Sequence, residues 1–358
     1  MNSIYHQILE QLRSGSGVIL TTVVRTSGST PQKPGSSALF GEEGLIAGTV
    51  GGGLLEGEVQ HIASSVLITG VSDHYYFNLD TDQGEEGAIC GGEAVVLIDA
   101  NPGAHLRALE DMEKSITQRK GGHLITTVSR EQENGRNINR YWVMKENRDT
   151  LPPGFDPTVK DALLNHFTRP AVSGFSELDL PGSVQTFFEM VLCETIKPFP
   201  QLVIAGAGHV GKALAHIGSL LDFEVTVIDD RPEFANQENI PDADHHIIED
   251  IGKAMSELKT GPDTYIVIVT RGHNHDAQAL KPCIGSSAAY VGMIGSSHKV
   301  GIMKKRFMAE GWATAEQWSR IHTPIGLSIG SKSVQEIAIS IAAQLVSVRH
   351  LNNRNNAG

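Results

Sequence analysis

Gly206, Gly208 and Gly211 spell G-x-G-x-x-G in VIAGAGHVGKALA, after the apolar run LVIA and at the start of a helical pattern that opens with His209. Each glycine has its own physical role. The first turns the chain, the second lets a pyrophosphate approach the helix N-terminus, and the third lets helix and strand pack closely. Asp229 follows 18 residues after Gly211, at the end of the next apolar run, where a carboxylate would meet ribose hydroxyls. This set predicts a Rossmann-type site. Gly206, Gly211 and Lys212 also fit most of G-x-x-x-x-G-K, but Ala213 stands where a Ser or Thr must bind Mg²⁺, which excludes a P-loop NTPase. Asp229 favours an NAD-like ligand, while Arg231 keeps recognition of a 2′-phosphate open.

TRGHNHD (270–276) follows another apolar run, expected to end at the ligand-binding edge of a parallel sheet. Arg271, His273, His275 and Asp276 would there contact a nucleotide, exchange protons or bind a metal. Two histidines at i and i+2 with no third ligand are a weak zinc signal, and solvated loop histidines are the plain alternative. An anion or substrate contact is expected. GMIGSSHK (292–299) offers Gly295, Ser296, Ser297 and Lys299 after a strand, although a capped helix start accounts for the serines equally well. In the first half, Gly51, Gly52 and Gly53 precede a helical pattern and would turn backbone N–H groups toward an anion; a tight turn is the alternative, with Glu56 and Glu58 as helix caps. AICGG leaves the Cys90 thiol sterically open beside Gly91 and Gly92, as a soft-metal ligand or a nucleophile. A lone cysteine is more often a small buried hydrophobe, which is the expectation for Cys193 and Cys283.

Positioning these groups takes two cores, as 358 residues predict. The first, over residues 1–146, reads as mixed α and β: a helix at 4–13, a strand at 17–25, a strand, glycine turn and helix over 45–68, strands at 75–80, 94–99, 123–129 and 139–144, and a helix at 103–119. Residues 147–199 are rich in proline, lack a sustained period and read as a connector. Over 200–350, short apolar runs at 201–205, 224–229, 245–250, 265–270 and 289–294 alternate with helices or loops, the pattern of a doubly wound parallel sheet. The last helix, 333–350, is apolar on most of its circumference and is expected to be buried against the sheet, another domain or a second copy; the tail 351–358 is expected to be disordered.

With 29 basic and 41 acidic residues, the net charge of −12 argues against nucleic acid or an anionic membrane as the main partner. No stretch of 18 apolar residues occurs, and the first residues lack the unbroken apolar core of a signal peptide. Three scattered cysteines make a poor disulfide framework. A cytoplasmic protein is expected. The 38 glycines exceed the ordinary share without a collagen period, so many tight turns are implied.

Taken in order, SGSTPQKPGSSALF (27–40), GTVGGGLLEGEV (48–59), AICGGEAVVLID (88–99), VIAGAGHVGKALA (203–215), TRGHNHD and TPIGLSIGSKSVQEIAISIAAQLV (323–346) closely resemble the xanthine dehydrogenase accessory factor family, of XdhC/CoxI type. The resemblance implies an N-terminal XdhC/CoxI-type domain followed by a Rossmann-like domain. It implies a maturation factor that binds molybdenum cofactor, protects it while its terminal sulfido ligand is installed with a cysteine desulfurase as sulfur donor, and delivers it to a molybdenum hydroxylase apo-enzyme. On that basis Ser27, Gly28, Ser29 and Thr30 with Gly51–Gly53 would hold the phosphate of the pterin, with Cys90 near the molybdenum or its dithiolene. The Rossmann domain would take the nucleotide half of a dinucleotide form of the cofactor, or a separate NAD-like nucleotide. A homodimer and a cofactor-handling chaperone, rather than a catalyst, are expected. An NAD(P)-dependent oxidoreductase using His273 or His275, and a nucleotide-sensing module, are the alternatives, and neither accounts for the Cys90 motif.

Overall fold

The computed structural model describes residues 4–79, 92–130, 135–145, 151, 155, 157–168, 174–180 and 188–355. Two compact units divide the chain, Met1–Pro198 and Phe199–Gly358.

In the N-terminal unit, helices α1 (Ile4–Arg13), α2 (Gly53–Thr69), α3 (Leu106–Thr117) and α4 (Pro157–Thr168) accompany two antiparallel sheets. One sheet is ordered β3 (Gly44–Gly48), β2 (Ser37–Gly41), β1 (Ile19–Gly28), β5 (Gly92–Asp99), β4 (Asp73–Asn78). The other runs β7 (Arg136–Met144), β6 (Gly122–Arg130), β9 (Met190–Ile196), β8 (Phe175–Glu177). Strand alternation decides which face each residue serves. Ile19, Ala94, Val96 and Ile98 pack on Leu55, Val59, Ala63 and Val66 of α2, which recur at the spacing of one helical face. Val24 and Leu97 point the other way, against Val128, Met190 and Leu192 of the second sheet. Beyond it, Ile125, Val191 and Cys193 meet Val159, Leu163 and Phe167 of α4. The unit is thus an α/β/β/α sandwich, with α1 and α3 closing the space beside β1, β2 and β6. Buried with those apolar layers are an ion pair, Arg140 to Asp99, and a hydrogen bond from the Tyr5 hydroxyl to Glu194.

Residues 147–199 are therefore not a connector. They carry α4, β8 and β9, and β9 is an inner strand held on both edges, by β6 and β8. Proline misleads here because it bounds elements: Pro157 occupies the first position of α4, where a missing N–H costs nothing, and Pro198 follows β9.

In the C-terminal unit the five strands β10 (Gln201–Ala205), β11 (Glu224–Asp229), β12 (His245–Ile248), β13 (Thr264–Ile268) and β14 (Tyr290–Met293) form a wholly parallel sheet in the order β12-β11-β10-β13-β14. This is the doubly wound arrangement, with the crevice where strand order reverses, between β10 and β13. Helices α5 (His209–Leu220) and α10 (Val334–Asn355) cover one face; α6 (Ile251–Glu257), α7 (His273–Leu280) and α8 (Ser297–Ala309) cover the other, with the short α9 (Ala315–Ser319) completing that side. Ala338, Ile341, Ala342 and Leu345 bury one face of α10 in the core of its own unit, while Ile339 is 53% exposed. The expected disordered tail starts too early, since α10 continues through Asn355. Among the described residues no helix is long and apolar enough to cross a membrane.

Candidate functional site

Strand pairing in the N-terminal unit brings three separated motifs to one end of a sheet. Ser27 lies opposite Glu93 and Gly28 opposite Gly92 in the β1–β5 ladder. A methyl group on Gly92 would stand 2.6 Å from the Ser27 carbonyl oxygen and 2.7 Å from that of Ser29, so only glycine admits the 27–30 segment at this approach. A methyl on Gly51 would come within 2.7 Å of Pro31, the residue after Thr30. The segments Ser27–Thr30, Gly51–Gly53 and Gly92 are thus neighbours, whereas Cys90 and Gly91 lie outside the described residues.

The α2 start is arranged differently from a simple capped helix. Glu56 folds back to accept from the Thr49 hydroxyl at 2.6 Å and the Val50 N–H at 3.3 Å, and Thr49 accepts from the Gly51 N–H at 3.1 Å. Gly52, the residue before the helix, has φ 68° and ψ −177° and supplies no side-chain cap. The carboxylate therefore secures the approach to the helix and leaves its first turn without a side-chain acceptor. Ser27 donates to Glu93 at 3.0 Å, and Tyr76 also donates to that carboxylate. Tyr76 and Ser27 together hold the Glu93 carboxyl below the usual carboxylate range. Neither Glu93 nor Tyr76 is among the site residues expected from the sequence. Register would have found them: Asn78 and Ser27 both face Glu93, and Tyr76 is two residues from Asn78 on the same side of β4. Thr30 turns inward, donating to the Gln32 carbonyl at 2.9 Å. A hollow of about 460 Å³ beside Arg25, Glu177 and Asp179 contains none of the motif residues, and its arginine is paired with Glu177.

In the C-terminal unit the glycine turn forms as its sequence demands. A methyl on Gly211 would lie 2.0 Å from the Gly206 carbonyl oxygen, and one on Gly206 would lie 2.5 Å from that of Val269; at Gly208 the space is open. Gly206 thereby abuts the start of the 270–276 segment. Helices α5 and α7 begin on Gly208 and Gly272 without side-chain caps, while α6, α8 and α9 are capped by Asp250, Ser296 and Thr314. Ser333 does the same for α10, its hydroxyl accepting from the Glu336 N–H at 3.2 Å, while the Glu336 carboxylate reaches back to accept from the N–H groups of Lys332 and Ser333. The two open helix starts follow β10 and β13, on either side of the crevice.

Several expected ligand groups are engaged inside the protein. Asp276 is buried and accepts from the Thr270 hydroxyl at 2.6 Å and from Lys299 Nζ at 2.8 Å, so Lys299 is a partner of Asp276. Ser296 serves as the α8 cap, next to Gly295. His273 opens α7 and is exposed, His275 is half-buried, and Arg271 donates to Asp230 at 2.8 Å. His209, exposed, borders a cleft of about 530 Å³ on the flank of α5 with Lys212, His216 and Asp242. Asp229 is held by Arg231 and by the Ala207 N–H. Burial raises its carboxyl, but the Arg231 guanidinium, with the Ala207 and Arg231 N–H groups, outweighs that and holds it below the usual carboxylate range. Burial pushes the thiols of Cys193 and Cys283 up to about 12, Cys193 with help from the Glu194 carboxylate, so both are inert fillers. Among the described residues no group of three or more His, Cys, Asp or Glu is placed to hold a metal ion.

Comparison with known proteins divides the chain in the same way. A family model described as the XdhC and CoxI family matches residues 11–77, and one described as the XdhC Rossmann domain matches residues 202–345. The chain is 36% identical over 152 residues to the uncharacterized protein YqeB of Escherichia coli, a match that covers 42% of this chain but only 28% of that relative's length. It is 26% identical to a probable xanthine dehydrogenase subunit of Bacillus subtilis, over 96% of this chain and 97% of the other. It is 19% identical to the molybdenum cofactor insertion chaperone PaoD of Escherichia coli, over 95% and 86%. A crystal structure described as a xanthine dehydrogenase from Bacillus halodurans has the same fold, with a TM-score of 0.73 at 20% identity, over 97% of this chain and 96% of that one.

Proposed function

This chain belongs to the XdhC and CoxI family, carrying both its N-terminal domain and its Rossmann domain, and from that premise we propose that it is a maturation factor for molybdenum hydroxylases. It binds the molybdenum cofactor as cargo, protects it while a cysteine desulfurase supplies the terminal sulfido ligand, and delivers it to the apo-enzyme. Similarity along nearly the whole chain to an insertion chaperone and to a probable xanthine dehydrogenase subunit supports this reading. The observation that carries it is the meeting of Ser27–Thr30, Gly51–Gly53 and Gly92 at one sheet end.

The described residues fit such a cargo. Its phosphate suits the N–H groups at the uncapped start of α2, where a helix presents the positive end of its dipole. The Glu93 carboxylate is an acceptor for the N–H donors on the pterin edge, and the Tyr76 ring, 59% exposed, offers a flat apolar surface beside it. Cys90, two residues before Gly92, supplies a soft thiolate for the molybdenum end. Bare backbone and a single thiolate suit a carrier, because cargo that must leave cannot be enclosed by charged clamps. Pairing of two copies belongs to the same proposal and is read from the mass of the protein in solution.

Protein purified from a host that makes the cofactor is expected to contain molybdenum and, after oxidation, fluorescent pterin in equal amounts. Cys90→Ala should lose both while its thermal unfolding is unchanged. Unaltered molybdenum content in that variant removes the role of the thiol, and pterin-free wild-type protein carrying only nicotinamide nucleotide overturns the proposal as a whole.

A further inference from the structure

In a dinucleotide fold the carboxylate at the end of the second strand ordinarily accepts from the ribose hydroxyls. Here that carboxylate is filled. Asp229 is 2% exposed. Its Oδ1 accepts from the Arg231 backbone N–H at 3.1 Å and from Arg231 Nε at 2.8 Å. Its Oδ2 accepts from the Ala207 N–H at 2.8 Å and from Arg231 Nη2 at 3.0 Å. Four donors on two oxygens use all the lone pairs a carboxylate has, so a ribose diol finds no acceptor there.

What the crevice presents instead is guanidinium. Arg231 lies 3.8 Å above the Phe234 ring, fixed between that ring and Asp229, and its Nη1 is left outside the fork that binds Asp229. Arg271, from the far side of the crevice, donates to Asp230 Oδ2 at 2.8 Å, and the other Asp230 oxygen stands 3.9 Å from Arg231 Nε. Strands β11 and β13 flank β10 in the sheet, so the Asp230–Arg271 pair spans the end of β10, where the glycine turn lies. One carboxylate, a third exposed, thus stands between two guanidiniums at the position where a nucleotide ribose would sit. Two guanidiniums around one small anion is the arrangement that recognises a phosphate, and Arg forms it as a planar fork.

We propose that the C-terminal unit binds a nucleotide bearing a phosphate monoester on its ribose 2′ position, read by Arg231 and Arg271, and discriminates against the unphosphorylated ribose. The phosphate replaces Asp230 as the anion shared by the two guanidiniums, and Asp230 turns to solvent. Asp229 is a positioning residue. It neutralises itself against Arg231, ties that arginine to the Ala207 N–H of the glycine turn, and so removes the charge that would repel the incoming phosphate. This reverses the NAD-like preference that Asp229 suggests in sequence alone, and it stands whether or not the N-terminal unit carries the molybdenum cofactor.

The test is calorimetric titration of the full chain with adenosine 2′,5′-bisphosphate and with adenosine 5′-monophosphate, which differ only in the phosphate at issue. The bisphosphate should bind at least tenfold more tightly, and more weakly as salt is raised. Arg271→Ala touches only Asp230 and leaves the Asp229 network whole, so it should fold normally and cut the preference to about twofold. Arg231→Lys keeps the charge but loses the fork and should cut it similarly. Asp230→Asn, which removes the competing carboxylate, should strengthen binding of the bisphosphate several-fold and leave the monophosphate unchanged. Equal affinity of the two probes, binding of neither, or an undiminished preference in a folded Arg271→Ala protein overturns the proposal.

Discussion

At Gly211 of the C-terminal unit a methyl group would stand 2.0 Å from a backbone oxygen, whereas at Gly52 of the N-terminal unit it would meet nothing within 4 Å. Gly52 precedes α2 and Gly211 sits in the first turn of α5, each beside a candidate site, yet each is required for a different reason. Gly211 is required by packing, since helix α5 can approach β10 only where no side chain intervenes. Gly52 is required by conformation, because its φ of 68° and ψ of −177° fall where side-chain-bearing residues are strained. A site made by packing is rigid and shares its integrity with the core. One made by conformation alone is open, and it can change without unfolding what lies beneath it.

The N-terminal unit keeps its own obligatory packing away from the glycines, in the buried Arg140–Asp99 pair. Arg140→Ala should therefore have the largest effect, about 3–5 kcal/mol, because Asp99 is left as an unpaired buried charge. Peptide-resolved hydrogen exchange in denaturant should show β6 and β7 opening while β10 and β11 stay protected. Gly211→Ala should produce the mirror image, costing about 3 kcal/mol through overpacking and exposing α5 and β10 first. Gly52→Ala should cost about 2 kcal/mol from backbone strain, with cofactor content falling further than stability does. If Gly52→Ala proves as damaging to the fold as Gly211→Ala, the contrast between the two sites is wrong.

The smallest effect, and the one that separates the units by sign, is the response to pH. Burial raises the carboxyl of Glu194 against the opposing pull of Tyr5 and Arg140. The stability tied to it is then fully present below the unfolded carboxylate value near about pH 4 and is lost as pH rises through its folded value. Asp229 is lowered, so its contribution is present above about pH 4 and disappears as pH falls through its folded value. Glu194→Gln should flatten the alkaline side of the N-terminal unit's stability profile, and Asp229→Asn the acid side of the C-terminal unit's profile, both read by calorimetry across pH.

The parallel sheet was legible because strands buried on both faces read as unbroken apolar runs, such as LVIA and YIVIVT, and these two are followed closely by α5 and α7. In the antiparallel half β1, β3, β4, β5, β6 and β7 were legible as separate runs, whereas β2, β8 and β9 lie in proline- and glycine-rich stretches that hide them. Strand β9 pairs with β6, and no local period announces a partner so distant. The glycine motifs gave away the positions where backbone comes close to backbone. They could not give the state of the polar side chains around them. Asp229, Asp276, Ser296 and Lys299 all have the residue types of ligand contacts, and all are bonded within the protein. Conversely, Glu93 and Tyr76 join the N-terminal cluster only through cross-strand register, which a linear motif does not encode.

The place of β9 sets a rule for the order of events during synthesis. Because Met190–Ile196 inserts between β6 and β8, β6 carries a bare edge until that segment has left the ribosome, and a nascent chain in that state offers its unpaired N–H and C=O groups to any other extended strand. A chain ended after residue 146, at the apparent close of the N-terminal motifs, is caught permanently at that stage and should aggregate. One ended after residue 198 has its last inner strand in place and should stay monomeric long enough to fold.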